Sequence, residues 1–385
     1  MSFLSRSLVL LALLLVSAPV LPAQSEAAIQ QFINEAIKAG GGSVVIPPGT
    51  YVIEKGLVLK DAKKIKLSGL DRERTILKLA PIAYAEAASD TPAGVSELPV
   101  KKSQNFRPGM QLHIEAPGDL DSFTKKPKPH HLAIIKSVSA DRLELAAPLK
   151  HPVPAGTQLR HADAPNLIEI RGASEQVLIE NLTIDGGRTA TDPAVRGHAQ
   201  LCGIFASGAY DYEKGPTSHV KGVTVSRCII QNCFGRGVAF YAVGGSIVER
   251  STIMDTNDEA IDFDHFAVGC IARHNHIARS LTGIELNDAT DCQVSGNDIR
   301  SCGTGLNLWR WCRQPGLNER NRILDNLFAN TAGNAIQIGK DTGANVIADN
   351  QIDQAGKNGI VLGSPGQTLE NNRFEGVKLK DVTAP

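Results

Sequence analysis

The chain has 385 residues, 40 acidic and 40 basic, so its formal net charge is zero. That balance excludes the long-range attraction that gathers nucleic acid or anionic membrane, and neither is expected as a partner. The 36 glycines set against 5% aromatic residues suit a fold of tight turns and small repeated layers.

Residues 1–24 read as a secretory signal peptide. Arg6 precedes an apolar run at 8–16, and Ser17, Ala18, Pro22 and Ala23 follow it. No later stretch has the roughly 18 to 20 apolar residues of a membrane helix, so the processed chain is expected to be secreted or periplasmic, off the membrane and monomeric. Seven cysteines all fall in the C-terminal half, and export permits disulfides. Cys270 and Cys292, 22 residues apart, should stack on neighbouring layers, either as reduced core residues or as a disulfide.

Residues 27–39 place Ile29, Phe32, Ile33, Ala36 and Ile37 on one helical face behind a cap at Ser25. A strand and turn follow, from Gly40, Gly41 and Gly42 through Val44, Ile46, Gly49 and Tyr51. Residues 81–162 lose this pattern and read as a small β insertion with short strands near 106–114, 133–138, 142–145 and 156–160. Its basic stretch from Lys125 to His131 reads as a solvated loop, with contact to an anionic sugar as the alternative.

From residue 237 the chain repeats. Four-residue lines start at Gly237, Ala260, Gly283, Gly305, Ala335 and Gly359, with spacings of 23, 23, 22, 30 and 24 residues. The second and fourth residues of each line are apolar, the period of a strand with one buried face. Asn275, Asn297, Asn326, Asn350 and Asn372 recur later in successive lines and are expected to stack in a hydrogen-bonded ladder. The fold class is therefore all-β: a single-stranded, right-handed parallel β-helix of at least seven coils, with an N-terminal capping helix. The first coils are expected in 25–80 and the main β-helix in 163–385.

The helix, the three glycines and the Val44-to-Tyr51 stretch resemble the opening of the pectate-lyase-like superfamily. With the repeats included, the likeness covers residues 25–80 and 163–378. It implies a solenoid that handles polysaccharide along its side, in a group that contains lyases, hydrolases, epimerases and non-catalytic proteins.

Stacking the lines generates outward columns about 4.8 Å apart per step. Asp262 and Glu285 fall in one, followed by Asn307; Tyr241, Asp264, Asn287 and Trp309 fall in the next; His265, Asp288, Arg310 and Lys340 lie at the adjoining turn. This predicts an exposed acidic site of Asp262, Asp264 and Glu285. His265 would lie beside it, Tyr241 and Trp309 would be sugar platforms, Asn287 and Asn307 substrate contacts, and Arg310 or Lys340 would face a substrate carboxylate. Two chemistries fit. Elimination or epimerisation of a uronate needs a base for the proton next to the carboxylate and a cation for the enolate, whereas hydrolysis needs paired carboxyl groups. A non-catalytic glycan-binding surface is the third reading.

Residues 257–265 are similar to the calcium segment of one pectate lyase family, which implies calcium ligands at Asp258, Glu259 and Asp262, with glutamate in place of the second aspartate. The same stretch is similar to a Phe-Asp-Pro-His segment of alginate epimerases at Phe263, Asp264 and His265, without the proline.

Overall fold

A computed structural model describes residues 25–103, 105–120, 125–189, 192 and 200–384. The signal peptide expected at residues 1–24 lies outside them. Among the described residues no helix is long and apolar enough to cross a membrane.

The helix Glu26–Lys38 opens the fold. Ser25 caps it by accepting a hydrogen bond from the Ala28 N–H, and Ile29 and Ile33 are fully buried in the first coil. Glu26 accepts from the Glu54 and Lys55 N–H groups, and Gln30 bonds both the N–H and the carbonyl of Val58. These contacts fix the helix over the end of the solenoid, where it covers apolar side chains and satisfies edge backbone together.

Beyond it, the chain winds through three parallel sheets. Ten strands stack in each of the second and third; the first has twelve, ten on its main path and two short ones beside it. The first coil runs through Gly42–Ile46, Gly49–Ile53 and Leu57–Lys60, and the second through Lys63–Gly69, Thr75–Leu79 and Ile168–Arg171. The solenoid thus has ten layers. Between the last two strands of the second coil the chain leaves to build a six-stranded antiparallel sheet, from Tyr84–Glu86 to Gln158–His161, around its own core of Leu98, Leu112, Ile135, Leu143 and Leu159.

The solenoid core comes from the alternation of each strand. Ile261 and Phe263 lie beside Val238 and Phe240, and the two phenyl rings stack at 5.5 Å and 9°. Each such side chain contributes about 1.5 to 3 kcal/mol by leaving water. Glycine at the start of a line has a steric cause: a Cβ on Gly283 would stand 2.5 Å from the Gly305 carbonyl oxygen of the next coil.

The asparagine ladder is present. The Nδ2 of Asn275 donates to Asn297 Oδ1 at 3.0 Å, and Asn297, Asn326 and Asn350 each donate to the next member at 2.9 to 3.0 Å. The residue before each ladder position, such as His274 at φ 54° or Asp325 at φ 53°, is left-handed, and this aims the amide into the turn. A second column at another turn runs Cys270, Cys292, Asn321, Asn345. The Cys270 N–H meets Cys292 Sγ at 3.4 Å, and the Cys292 N–H donates to Asn321 Oδ1 at 2.9 Å. The two cysteines therefore stack on consecutive coils, and both are reduced and buried.

Candidate active site

The site is built where the third sheet acquires cover. After Ile204–Ser207 the chain adds a hairpin, Ala209–Asp211 with Gly215–Ser218, and after Thr304–Trp309 it adds a loop at 310–321. Tyr210 of the hairpin packs with Phe266, Cys312 and Leu317, and the Gln314 amide donates to the Tyr212 carbonyl at 2.7 Å. Hairpin and loop thus meet over the outer face of the strands Glu259–Asp264 and Thr282–Asn287, all twelve residues of which are buried.

The register follows the repeat. Ala239 lies beside Asp262, Tyr241 beside Asp264, Asp262 beside Glu285, Glu285 beside Asn307 and Asn287 beside Trp309. The expected exposure does not. Asp262 is 0%, Asp264 3% and Glu285 6% exposed, so the acidic group is sealed from solvent by what packs on the sheet.

Arg236, in the turn before Val238–Tyr241, supplies its counter-charge. Its Nε lies 2.6 Å from Asp262 Oδ2 and 2.8 Å from Glu259 Oε2, and Nη2 is 3.6 Å from Asp258 Oδ2. The three residues expected to hold calcium therefore face a guanidinium that a metal ion would have to displace. The Nε–H does not point along the line to either oxygen, so the contact is Coulombic; both Asp262 oxygens and Glu259 Oε2 lack a hydrogen bond among the described residues. One cation cannot offset this many buried carboxylates. Burial raises Glu259 to about 8 and Asp264 to about 6, and burial together with Asp264 pushes Asp262 well above its ordinary range. Burial also raises Glu285, against the pull of the Trp309 indole N–H and of the Asn307 amide, which donates to Glu285 Oε2 at 3.0 Å.

A second group forms at the adjoining corner. His265, at φ 31°, turns its Nδ1 to within 3.1 Å of Asp264 Oδ1 and 3.2 Å of Asp288 Oδ2. Asp288 Oδ1 accepts from the Trp311 and Cys312 N–H groups at 2.8 and 2.9 Å. Against its burial, the His265 imidazole and the Cys312 and Trp311 donors hold Asp288 below the usual carboxylate range. An ionised carboxylate offers lone pairs only, so the neutral imidazole must carry its proton on Nδ1, which leaves Nε2 as the basic nitrogen. Around the ring stand Tyr210, Tyr212 and Tyr241, with centroids at 5.4, 4.9 and 5.2 Å. Burial and the neighbouring Asp262 and Asp264 push the Tyr241 phenol far up, so it holds its proton.

The remaining expected site residues divide. Tyr241 at 4% and Asn287 at 3% exposed are both buried, so neither presents the open surface expected of a sugar platform or contact. Trp309 is half-buried, edge-on to Trp311 at 5.8 Å; beside the site, Trp311 at 63% and Tyr212 at 52% reach solvent. Arg310 does not face a substrate carboxylate: its guanidinium donates to the Cys312, Arg313 and Gln314 carbonyls and so pins the loop. Lys340 is exposed and makes no ion pair among the described residues. Sequence reading put Asp288 next to His265 in the turn column without a role, and missed Arg236, Tyr210, Tyr212 and Trp311. The available signal was the lengthened spacing from Ile204 to Val238, which has to carry extra chain over the sheet.

Residues 166–319 match the family model described as right handed beta helix region. No curated protein matches the sequence. Among solved structures, the chain is similar to the Azotobacter vinelandii mannuronan C-5 epimerase AlgE4 A-module, at 15% identity over 93% of this chain and 94% of that one, with a TM-score of 0.44. An alginate lyase from Paenibacillus sp. str. FPU-7 matches at 12% identity over 95% and 98%, with a TM-score of 0.44. XylC in complex with xylose matches at 14% over 89% and 66%, with a TM-score of 0.49. With its three stacked parallel sheets, the chain has the right-handed parallel β-helix fold, and its central coils are similar to the family model of that name.

Proposed function

We propose that this protein acts on an acidic, uronate-containing polysaccharide by moving the proton on the carbon next to the uronate carboxylate. The observation that carries the reading is His265, whose Nδ1 is held by Asp288 so that Nε2 is the base, set against a Tyr241 phenol that stays protonated. His265 Nε2 accepts the carbon-bound proton and the electron pair passes into the carboxylate. Tyr241 then donates its proton, either to the glycosidic oxygen as the enolate pair returns to form a carbon–carbon double bond and the carbon–oxygen bond breaks, which gives elimination, or to the opposite face of the same carbon, which gives epimerisation. Because His265 is only 8% and Tyr241 4% exposed, a sugar has to displace the Tyr210–Tyr212 hairpin to reach them.

The exposed rings of Tyr212 and Trp311 suit the C–H faces of neighbouring sugars. Lys340, three coils from His265 and thus about 14 Å along the solenoid, would meet the carboxylate of a uronate further down the chain. Hydrolysis is the weaker reading because it needs two carboxyl groups that touch sugar, and Asp262 is sealed behind Arg236. The test is incubation with alginate, pectate and neutral glycans. New double bonds or an altered epimer ratio on a uronan support the proposal; reducing ends formed without either outcome would point to hydrolysis.

A further inference from the structure

The corner of the site holds more ligating chemistry than proton transfer uses. A ring nitrogen of His265, a carboxylate oxygen of Asp288 and Cys312 Sγ all lie within 4.8 Å of one another, with Nδ1 3.2 Å from Asp288 Oδ2, and all three residues are buried. Asp264 Oδ1 stands 3.1 Å from the same Nδ1, yet the hydrogen bond from that nitrogen goes to Asp288. One N–H thus faces two carboxylates and a thiol. Nitrogen, sulfur and two oxygens are a donor set suited to a borderline divalent metal in a tetrahedron, whose ligand atoms stand roughly 3.3 to 3.6 Å apart. The two nitrogen-to-oxygen separations are already close to that spacing.

The corner is also held in place. Asp288 Oδ1 is occupied by the Trp311 and Cys312 N–H groups, so its Oδ2 is the oxygen left to face inward. Arg310 caps three carbonyls of the loop that carries Cys312, and Gln314 ties the loop to the hairpin. Second contacts of this kind orient metal ligands and are not needed merely to bury a thiol.

We propose that His265, Asp288 and Cys312, completed by Asp264, bind a divalent borderline metal such as Zn²⁺. Binding takes the place of the thiol proton, which is released to solvent, and the single hydrogen of the neutral imidazole moves from Nδ1 to Nε2 as the metal takes Nδ1. If His265 is the base proposed above, the metal also inhibits, because an imidazole bound through Nδ1 carries its one hydrogen on Nε2 and cannot accept another. The metal site itself does not depend on that reading.

The full chain, treated with chelator and dialysed, is titrated with Co²⁺ and followed by absorption spectroscopy, then competed with Zn²⁺. The expected result is one ion per chain with a thiolate-to-cobalt charge-transfer band in the near ultraviolet, bleached by Zn²⁺. The band should be absent in Cys312→Ser and unchanged in Cys302→Ser. A Cys312→Ser chain whose circular dichroism matches wild type but which binds cobalt equally tightly would overturn the site, as would a wild type that binds none. Uronan turnover in the metal-free chain is read separately, so lack of turnover with the band present counts against the proposed function alone.

Discussion

The guanidinium of Arg236 lies 2.6 Å from the carboxylate of Asp262, a side chain that no solvent reaches. Removing one partner of such a pair leaves the other charge buried and alone. Arg236→Met is expected to lower stability by about 3 to 5 kcal/mol in urea unfolding. The exposed Lys340→Ala should stay within about 0.5 kcal/mol of wild type.

The same cluster sets a pH dependence. Glu259 rises from 4.5 to about 8 on folding, so between those values the folded state holds a proton that the unfolded state has released. A raised carboxylate stabilises below its unfolded value, and that contribution is lost as pH climbs through the folded one. Stability should therefore fall from about pH 5 to pH 8, and Glu259→Gln should flatten the slope. A melting temperature measured across this range in both proteins checks the sign; a wild-type curve that rises with pH would contradict the electrostatics.

Asn326 accepts from the Asn297 backbone and amide and donates to the Val294 carbonyl and to Asn350. Asn326→Ala leaves several of these groups buried without partners, at about 1 to 3 kcal/mol each. Asn371→Ala, at an exposed position two coils further along the same column of turns, should cost far less. Equal urea midpoints for the two variants would show that the ladder does not bear on stability.

The rungs, the ladder and the neighbours of Asp262, Asp264 and Glu285 were legible because a strand of period two fixes which side chains share a face. What covers that face was not. The alternation separates inside from outside the coil, but it says nothing about a hairpin folded back from residues 209–218, which has no repeat of its own. Arg236 was hidden for a related reason: between Gly235 and Gly237 it reads as part of a turn, and its meeting with Asp262 appears only when the next coil is laid beside it. Cys270 and Cys292 were placed correctly as a stack, while their role at the head of a second amide column depends on Asn321, which the first ladder's spacing does not predict.

Tyr241 and Tyr212 should separate by kinetics. Tyr241→Phe removes the proposed acid and keeps the ring, so kcat on a uronan should fall about 10²- to 10⁴-fold. Tyr212→Ala removes an exposed platform and should act chiefly on KM. If both variants changed KM alone, Tyr241 would be a packing residue and the acid would have to be sought elsewhere.

The most direct test follows the proton itself. Wild-type protein and His265→Ala are incubated with alginate and with pectate in deuterated water, and NMR of the polymer and its fragments reads the carbon next to the carboxylate. The account predicts, with wild type, deuterium at that carbon or unsaturated ends formed by its loss, and neither with His265→Ala. Chain cleavage in which that carbon keeps its proton, or unchanged products from the His265→Ala protein, would contradict it.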